Sequence, residues 1–155
     1  MRRSTIAVLA AALSSLVLSG CSSSQLYFGA TVPQVTGAWE RSSAPQAKLV
    51  IDENGTFRAT VWPVAVACEP GSAQTLDDLE GGDTRDLSGT WATFGEGAYQ
   101  LEFLFDRHQC SGAGFEGFIW KRGDGQLDIC VIISEAILPD DAKARNYLVL
   151  RKLPD

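Results

Sequence analysis

Four cysteines, one histidine and a group of clustered carboxylates are the side chains of this 155-residue chain with the most evident chemical potential. His108 sits in "FDRHQC", two residues before Cys110. A metal site would recruit His108, Cys110 and Cys68, one ligand short of the four that structural zinc takes. Hydrolysis would need a nucleophile elbow of the G-x-S-x-G type, which the sequence lacks. With a single histidine, no nucleophile–base–orienter set can be assembled. Asp106-Arg107 reads as a local ion pair at a turn. Asp77, Asp78, Glu80 and Asp83 are spaced too loosely for a D-x-D-x-D-G calcium loop and read as a solvated connection. The expectation is a non-enzymatic protein with no metal and no cofactor.

Cys21 belongs to different chemistry. Arg2 and Arg3 precede a run of about 13 apolar or small residues, Ile6 to Leu18, which is too short to span a bilayer as a helix, for which roughly 20 are needed. The run closes on Leu18-Ser19-Gly20-Cys21, and this stretch resembles the lipobox of bacterial lipoproteins. The resemblance implies a leader over 1–20, cleavage between Gly20 and Cys21, and a diacylglyceryl group on the Cys21 thiol. The residues after Arg2-Arg3 fit a twin-arginine motif poorly, so Sec export is expected. Two acyl chains give stable attachment where one is marginal. Residues 21–33 read as a flexible tether, with an extended reach of at most roughly 40 Å at ~3.3 Å per residue. The partner so implied is a membrane, reached through the lipid on Cys21, with the folded body outside the cytoplasm at the cell membrane or envelope.

Loss of the leader removes Arg2 and Arg3, so the formal charge moves from −6 to −8. An acidic exported domain is a poor partner for nucleic acid or for anionic lipid headgroups. About 135 residues remain, enough for one domain with a real core.

The body, 34–153, is punctuated as an antiparallel β-protein. In "LVIDENGTFRATV", Leu49 and Ile51 alternate with polar residues, Asn54-Gly55 supplies two positive-φ turn residues, and Phe57, Ala59 and Val61 alternate on the return. "GTWATFGEGAYQLEFLFD" turns at Gly95-Glu96-Gly97, and "FIWKRGDGQLDICVII" at Gly123-Asp124-Gly125. With a first strand near 35–41 and a last near 145–152, eight strands are predicted. Short helices are expected only in connections, at 73–79 and 139–144. Tight turns join strands two to three, four to five and six to seven. In an up-and-down meander they all fall at one end and the longer connections at the other. Eight such strands close into a barrel without free edges. The long-loop end is the expected working surface.

Strand parity also sorts the cysteines. Cys68 and Cys110 follow the third and fifth strands, at the long-loop end, whereas Cys130 lies mid-strand, about half a barrel away. Bridged Cα atoms must approach within about 7 Å. A Cys68–Cys110 disulfide is therefore expected, with Cys130 a packed thiol.

Gly37-Ala38-Trp39 in the first strand resembles the G-x-W signature of lipocalins. That resemblance implies an eight-stranded barrel with Trp39 plugging its closed end and Arg151 stacked across the indole. By alternation the inward set includes Trp39, Leu49, Ile51, Phe57, Val61, Trp91, Tyr99, Leu101, Phe103, Phe105, Leu127, Ile129 and Val131. The sixth strand offers two apolar faces, Phe115/Ile119 and Phe118/Trp120. Such an interior either holds a small lipophilic ligand, with Phe57, Phe105 and Val131 as its wall, or is filled by its own side chains. The first makes the protein a lipid-anchored carrier, the second an envelope structural or protein-interaction module.

Overall fold

The computed structural model describes residues 25–69, 71–94, 97–110, 114–134 and 144–154. Its elements are β1 (Gln25–Leu26), α1 (Val32–Val35), β2 (Gly37–Arg41), β3 (Ala44–Ile51), β4 (Thr56–Pro63), α2 (Val64–Ala67), β5 (Thr84–Phe94), β6 (Gln100–Phe105), β7 (Gly114–Lys121), β8 (Leu127–Ile132) and β9 (Tyr147–Lys152). Strands β2 to β9 pair antiparallel in chain order, and β9 closes on β2 to complete an eight-stranded barrel. The backbone donors and acceptors of every wall strand thus find neighbours, which is what closure achieves for a short antiparallel sheet. Of the expected helices, 73–79 holds only the 3-10 turn Asp77–Leu79. The other, 139–144, lies outside the described residues apart from Ala144, which opens a second 3-10 turn.

The turns at Asn54-Gly55 and Gly123-Asp124-Gly125 follow the sequence pattern with one correction, while Gly95 and Glu96 of the third lie outside the described residues. Gly55 has φ +84, but Asn54 does not enter the left-handed region. Asn54 instead turns its side-chain oxygen to the Thr56 amide (3.0 Å) and hydroxyl (2.7 Å), an Asx arrangement that stiffens the hairpin.

Alternation fails once in β4, and the core changes as a result. Phe57 and Ala59 face inward and are buried. The β4–β5 register then shifts between Ala59 and Trp62, and Val61 takes φ +52. This bulge turns Val61 outward, 36 % exposed, and swings Trp62 into the core at 0 %. The expected inward Val61 is thus replaced by a tryptophan. The ambiguity in β7 resolves through Gly117. A Cβ there would lie 2.7 Å from Ile129 Cγ2 and 3.5 Å from Phe103 Cε2. With no side chain of its own at that point, β7 admits its neighbours inside and directs Phe115 and Ile119 inward beside it.

Residues 25–33 have the composition of a tether, yet the chain joins the body from Gln25 onward. Gln25 and Leu26 pair with Lys121 and Trp120 of β7. The Tyr27 amide donates to the Ile119 carbonyl at 2.9 Å, Phe28 packs on Tyr99 with ring centroids 5.0 Å apart, and Ala30 is buried. Helix α1 then lies across the tight-turn end with Val35 fully buried.

Trp39 closes that end. It is fully buried, and its Nε1 donates to the Val35 carbonyl at 2.9 Å, so the polar edge of the indole is satisfied. The cation over its ring is Lys152, with Nζ 5.9 Å from the centroid, and not Arg151. Register explains the correction: Trp39 stands opposite Lys152, so both share a face, while Arg151 stands opposite Glu40 and Asp128 on the other. Lys152 Nζ also donates to the carbonyls of Pro33 and Gln34, both at 3.2 Å.

Outside the barrel, Cys130, Tyr147 and Val149 form a second buried cluster against Trp120 and Ile132. Asp128 shares that outward side and is 1 % exposed. Arg122 Nε lies 3.5 Å from Asp128 Oδ1, an ion pair without hydrogen-bond geometry. Burial raises the Asp128 pKa, and Arg122 and Arg151 oppose that rise without cancelling it.

Two outcomes follow for stability. Trp39→Ala should cost about 3–5 kcal/mol in urea unfolding, the usual range for emptying a buried aromatic site, whereas Lys152→Ala should cost far less. For Asp128 the folded pKa lies above the unfolded one, so unfolding releases a proton. Its contribution is neutral below the ordinary carboxylate pKa and turns unfavourable as pH rises toward the folded value. Asp128→Asn should therefore gain on the wild type across that interval in urea titrations at successive pH values. A difference independent of pH would show that burial does not penalise this carboxylate.

Candidate functional site

The long-loop end carries a cleft of about 330 Å³, lined by α2 and its exit (Val64, Cys68, Glu69), the start of β5 (Arg85) and the β6–β7 connection (Arg107, His108, Gln109, Cys110). Cys68 and Cys110 form the expected disulfide, with Cα atoms 4.9 Å apart and a sequence separation of 42. The bridge ties the β4–β5 connection to the β6–β7 connection and forms part of the cleft wall.

Gln109 holds the rest in place. Its Oε1 accepts from the Ser88 amide at 2.7 Å, its Nε2 donates to Ser88 Oγ at 3.0 Å, and its carbonyl accepts from Arg85 Nη1 at 2.8 Å. Ser88 Oγ in turn donates to Asp106 Oδ2 at 2.7 Å. Asp106 is therefore engaged with Ser88 and makes no ion pair with Arg107 among the described contacts. The network leaves Arg85, Arg107 and His108 exposed around the opening with Glu69 as the one acid of the lining. A polar, partly cationic cleft of this size suits a carboxylate or amide better than a hydrocarbon chain.

Among the described residues no group of three or more His, Cys, Asp or Glu side chains could hold a metal ion. Of the acidic connection, Asp78 accepts from the amides of Gln74 and Thr75, both at 2.9 Å, and from the Thr75 hydroxyl at 3.0 Å. Those donors hold its carboxyl below its ordinary pKa. Glu80 faces Arg41, whose guanidinium is lowered from its usual pKa by burial and partly restored by that carboxylate. The loop's acids thus shape the loop.

The three residues expected to line a ligand cavity sit inside the barrel, packed among neighbours. Phe57, Phe105 and Val131 are 1 %, 9 % and 0 % exposed. Phe57 meets the rings of Phe103, Phe105 and Phe115 at 5.2, 5.9 and 6.1 Å. Phe115 stacks on Phe103 at 4.6 Å and on Trp62 at 4.9 Å, and lies 5.7 Å from Phe105. Five aromatic rings occupy the space where a lipophilic ligand was expected. Trp62 Nε1 is buried within them without an acceptor among the described residues. An unmade hydrogen bond there costs about 1–3 kcal/mol, which the burial of the ring must exceed.

Cys21 and the leader lie outside the described residues. Cys130 is fully buried, and no described cysteine is free, so it is not the packed free thiol expected from sequence. No helix of the described residues is long and apolar enough to cross a membrane. Compared with models of known families, with curated proteins and with solved structures, the chain matches none.

The sequence signals its cysteines and turns clearly, but not Gln109, Ser88 or Arg85. Their roles depend on a contact between the β6–β7 connection and strand β5, and no periodicity or spacing encodes it.

The bridge has a measurable weight. A closed loop of this length constrains the unfolded chain by about 4 kcal/mol in the loop-entropy treatment. Cys110→Ala should lower stability by that order and loosen Gln109, detected as faster amide exchange at Ser88. Non-reducing peptide maps should join the Cys68 and Cys110 peptides.

Proposed function

We propose that this protein is a lipid-anchored, extracytoplasmic interaction module. Its barrel is filled, and it works through the cleft at its long-loop end. The observation that carries this reading is the cluster of Phe57, Trp62, Phe103, Phe105 and Phe115, which occupies the interior with ring-to-ring contacts. An eight-stranded barrel has room for side chains or for one small ligand, not for both. A carrier would have to displace these rings, forfeiting several kcal/mol of packing before any ligand contact is made. The anchored part of the reading is supported by the lipobox-like Leu18-Ser19-Gly20-Cys21 and the short apolar run before it. Its non-catalytic part is supported by the lack of a nucleophile elbow and by the engagement of Ser88, Asp106 and Gln109 with one another.

Two measurements test it. An environment-sensitive fluorescent fatty acid should show no saturable uptake by the purified full-length protein. Stoichiometric uptake abolished by Phe105→Asp would overturn the filled-barrel reading in favour of a carrier. Intact mass should show a diacylglyceryl adduct on the Cys21 peptide, lost in Cys21→Ser together with membrane partitioning. One sulfur cannot carry both a thioether and a disulfide, so a Cys21–Cys130 peptide pair in place of the adduct would remove the anchor from the reading.

A further inference from the structure

Five large apolar side chains stand out as exposed among the described residues: Phe28 at 61 %, Phe94 at 59 %, Val32 at 43 %, Leu104 at 42 % and Val61 at 36 %. Their placement is uneven. Val61 and Leu104 lie on the wall toward the long-loop end. Phe28, Val32 and Phe94 lie at the tight-turn end: Phe94 ends β5, Val32 opens α1, and Phe28 packs on Tyr99 beside the β5–β6 turn, where the Gly29 amide donates to the Gly97 carbonyl. Single exposed apolar residues need no explanation, but aromatic side chains gathered at one end do.

The same end receives the chain from Cys21. Because Gln25 is already hydrogen-bonded into the sheet, only Ser22, Ser23 and Ser24 separate it from Cys21. Four residue steps span at most roughly 14 Å, in place of the roughly 40 Å of a tether reaching residue 33. The longer leash would let the barrel tumble freely above a bilayer. The shorter one holds the tight-turn end within about the depth of the headgroup layer plus one or two side chains. Aromatic rings are favoured at that depth.

Resting on the lipoprotein reading, we propose that the tight-turn end is a membrane-docking surface. Phe28 and Phe94 enter the phospholipid interface beside the Cys21 lipid, and the cleft end points away from the bilayer. The lipid supplies attachment, and the two rings supply orientation.

The test uses full-length lipidated protein in vesicles of phosphatidylethanolamine and phosphatidylglycerol. Phe94→Cys and Leu104→Cys each carry an environment-sensitive fluorophore, both positions being exposed and so tolerant of the change. Expected are a blue-shifted emission at 94 that nitroxide lipids quench, and a water-like emission at 104. Intact mass is read on the same samples. Cys21 acylated with a water-like label at 94, or with both labels in lipid, overturns docking through this end and leaves the lipoprotein reading standing. Cys21 without an acyl adduct overturns both.

Discussion

Phe115 touches Phe57, Trp62, Phe103 and Phe105, and the rest of the structure is arranged to permit that contact. A barrel of eight strands encloses a fixed, narrow volume, so a ring at its centre must be matched by small groups elsewhere. Gly117, two residues along the same strand, is one such group. Its missing Cβ gives Ile129 and Phe103 their positions. The bulge in β4 is another adjustment, because without it Trp62 would face solvent and Phe115 would lose one of its two closest stacking partners. The packing of these rings therefore depends on one bulge and one glycine as much as on the rings themselves.

Much of the wall was legible because two independent signals coincided in each hairpin: period-two alternation and a glycine-bearing turn. The β3–β4, β5–β6 and β7–β8 connections all show both. Where only one signal existed the reading slipped. Alternation through Thr60 and Val61 looks regular in sequence, and the bulge is accompanied by a tertiary contact, the Val61 amide donating to Asp86 Oδ1 at 2.9 Å. Arg151 and Lys152 are adjacent cations, and choosing between them required the β2–β9 register, which composition cannot supply. The small, polar composition of residues 21–33 resembles a leash, yet Ala30 and Val35 nearby are buried. Short segments of this kind take their structure from the surface they meet.

Electrostatics divide the molecule differently from hydrophobicity. The chain is acidic overall, yet many of its acids are spent locally: Asp78 on two amides, Asp106 on Ser88, Asp86 on the bulge amide, Asp128 on the outward face beside Arg122. Among the described residues Arg107 makes no such contact. An exposed cation counts for little by itself in salt. At the cleft, however, Arg85 is fixed by Gln109, and the walls are fixed by a disulfide, so less entropy is lost when a partner engages it. The rigidity of that rim is more specific than its charge.

The two ends of the barrel thus carry opposite chemistry for a structural reason. In a meander, parity sends every tight turn and the N-terminal approach to one end, where short connections leave little room for a site. The longer connections accumulate at the other, and only there can two of them meet to form a walled cleft. The disulfide joins two connections that parity had already brought together. It needs no strand to move, and it converts neighbouring loops into one surface. The wall between the two ends sets the distance and direction from the aromatic, tight-turn end to the polar cleft end.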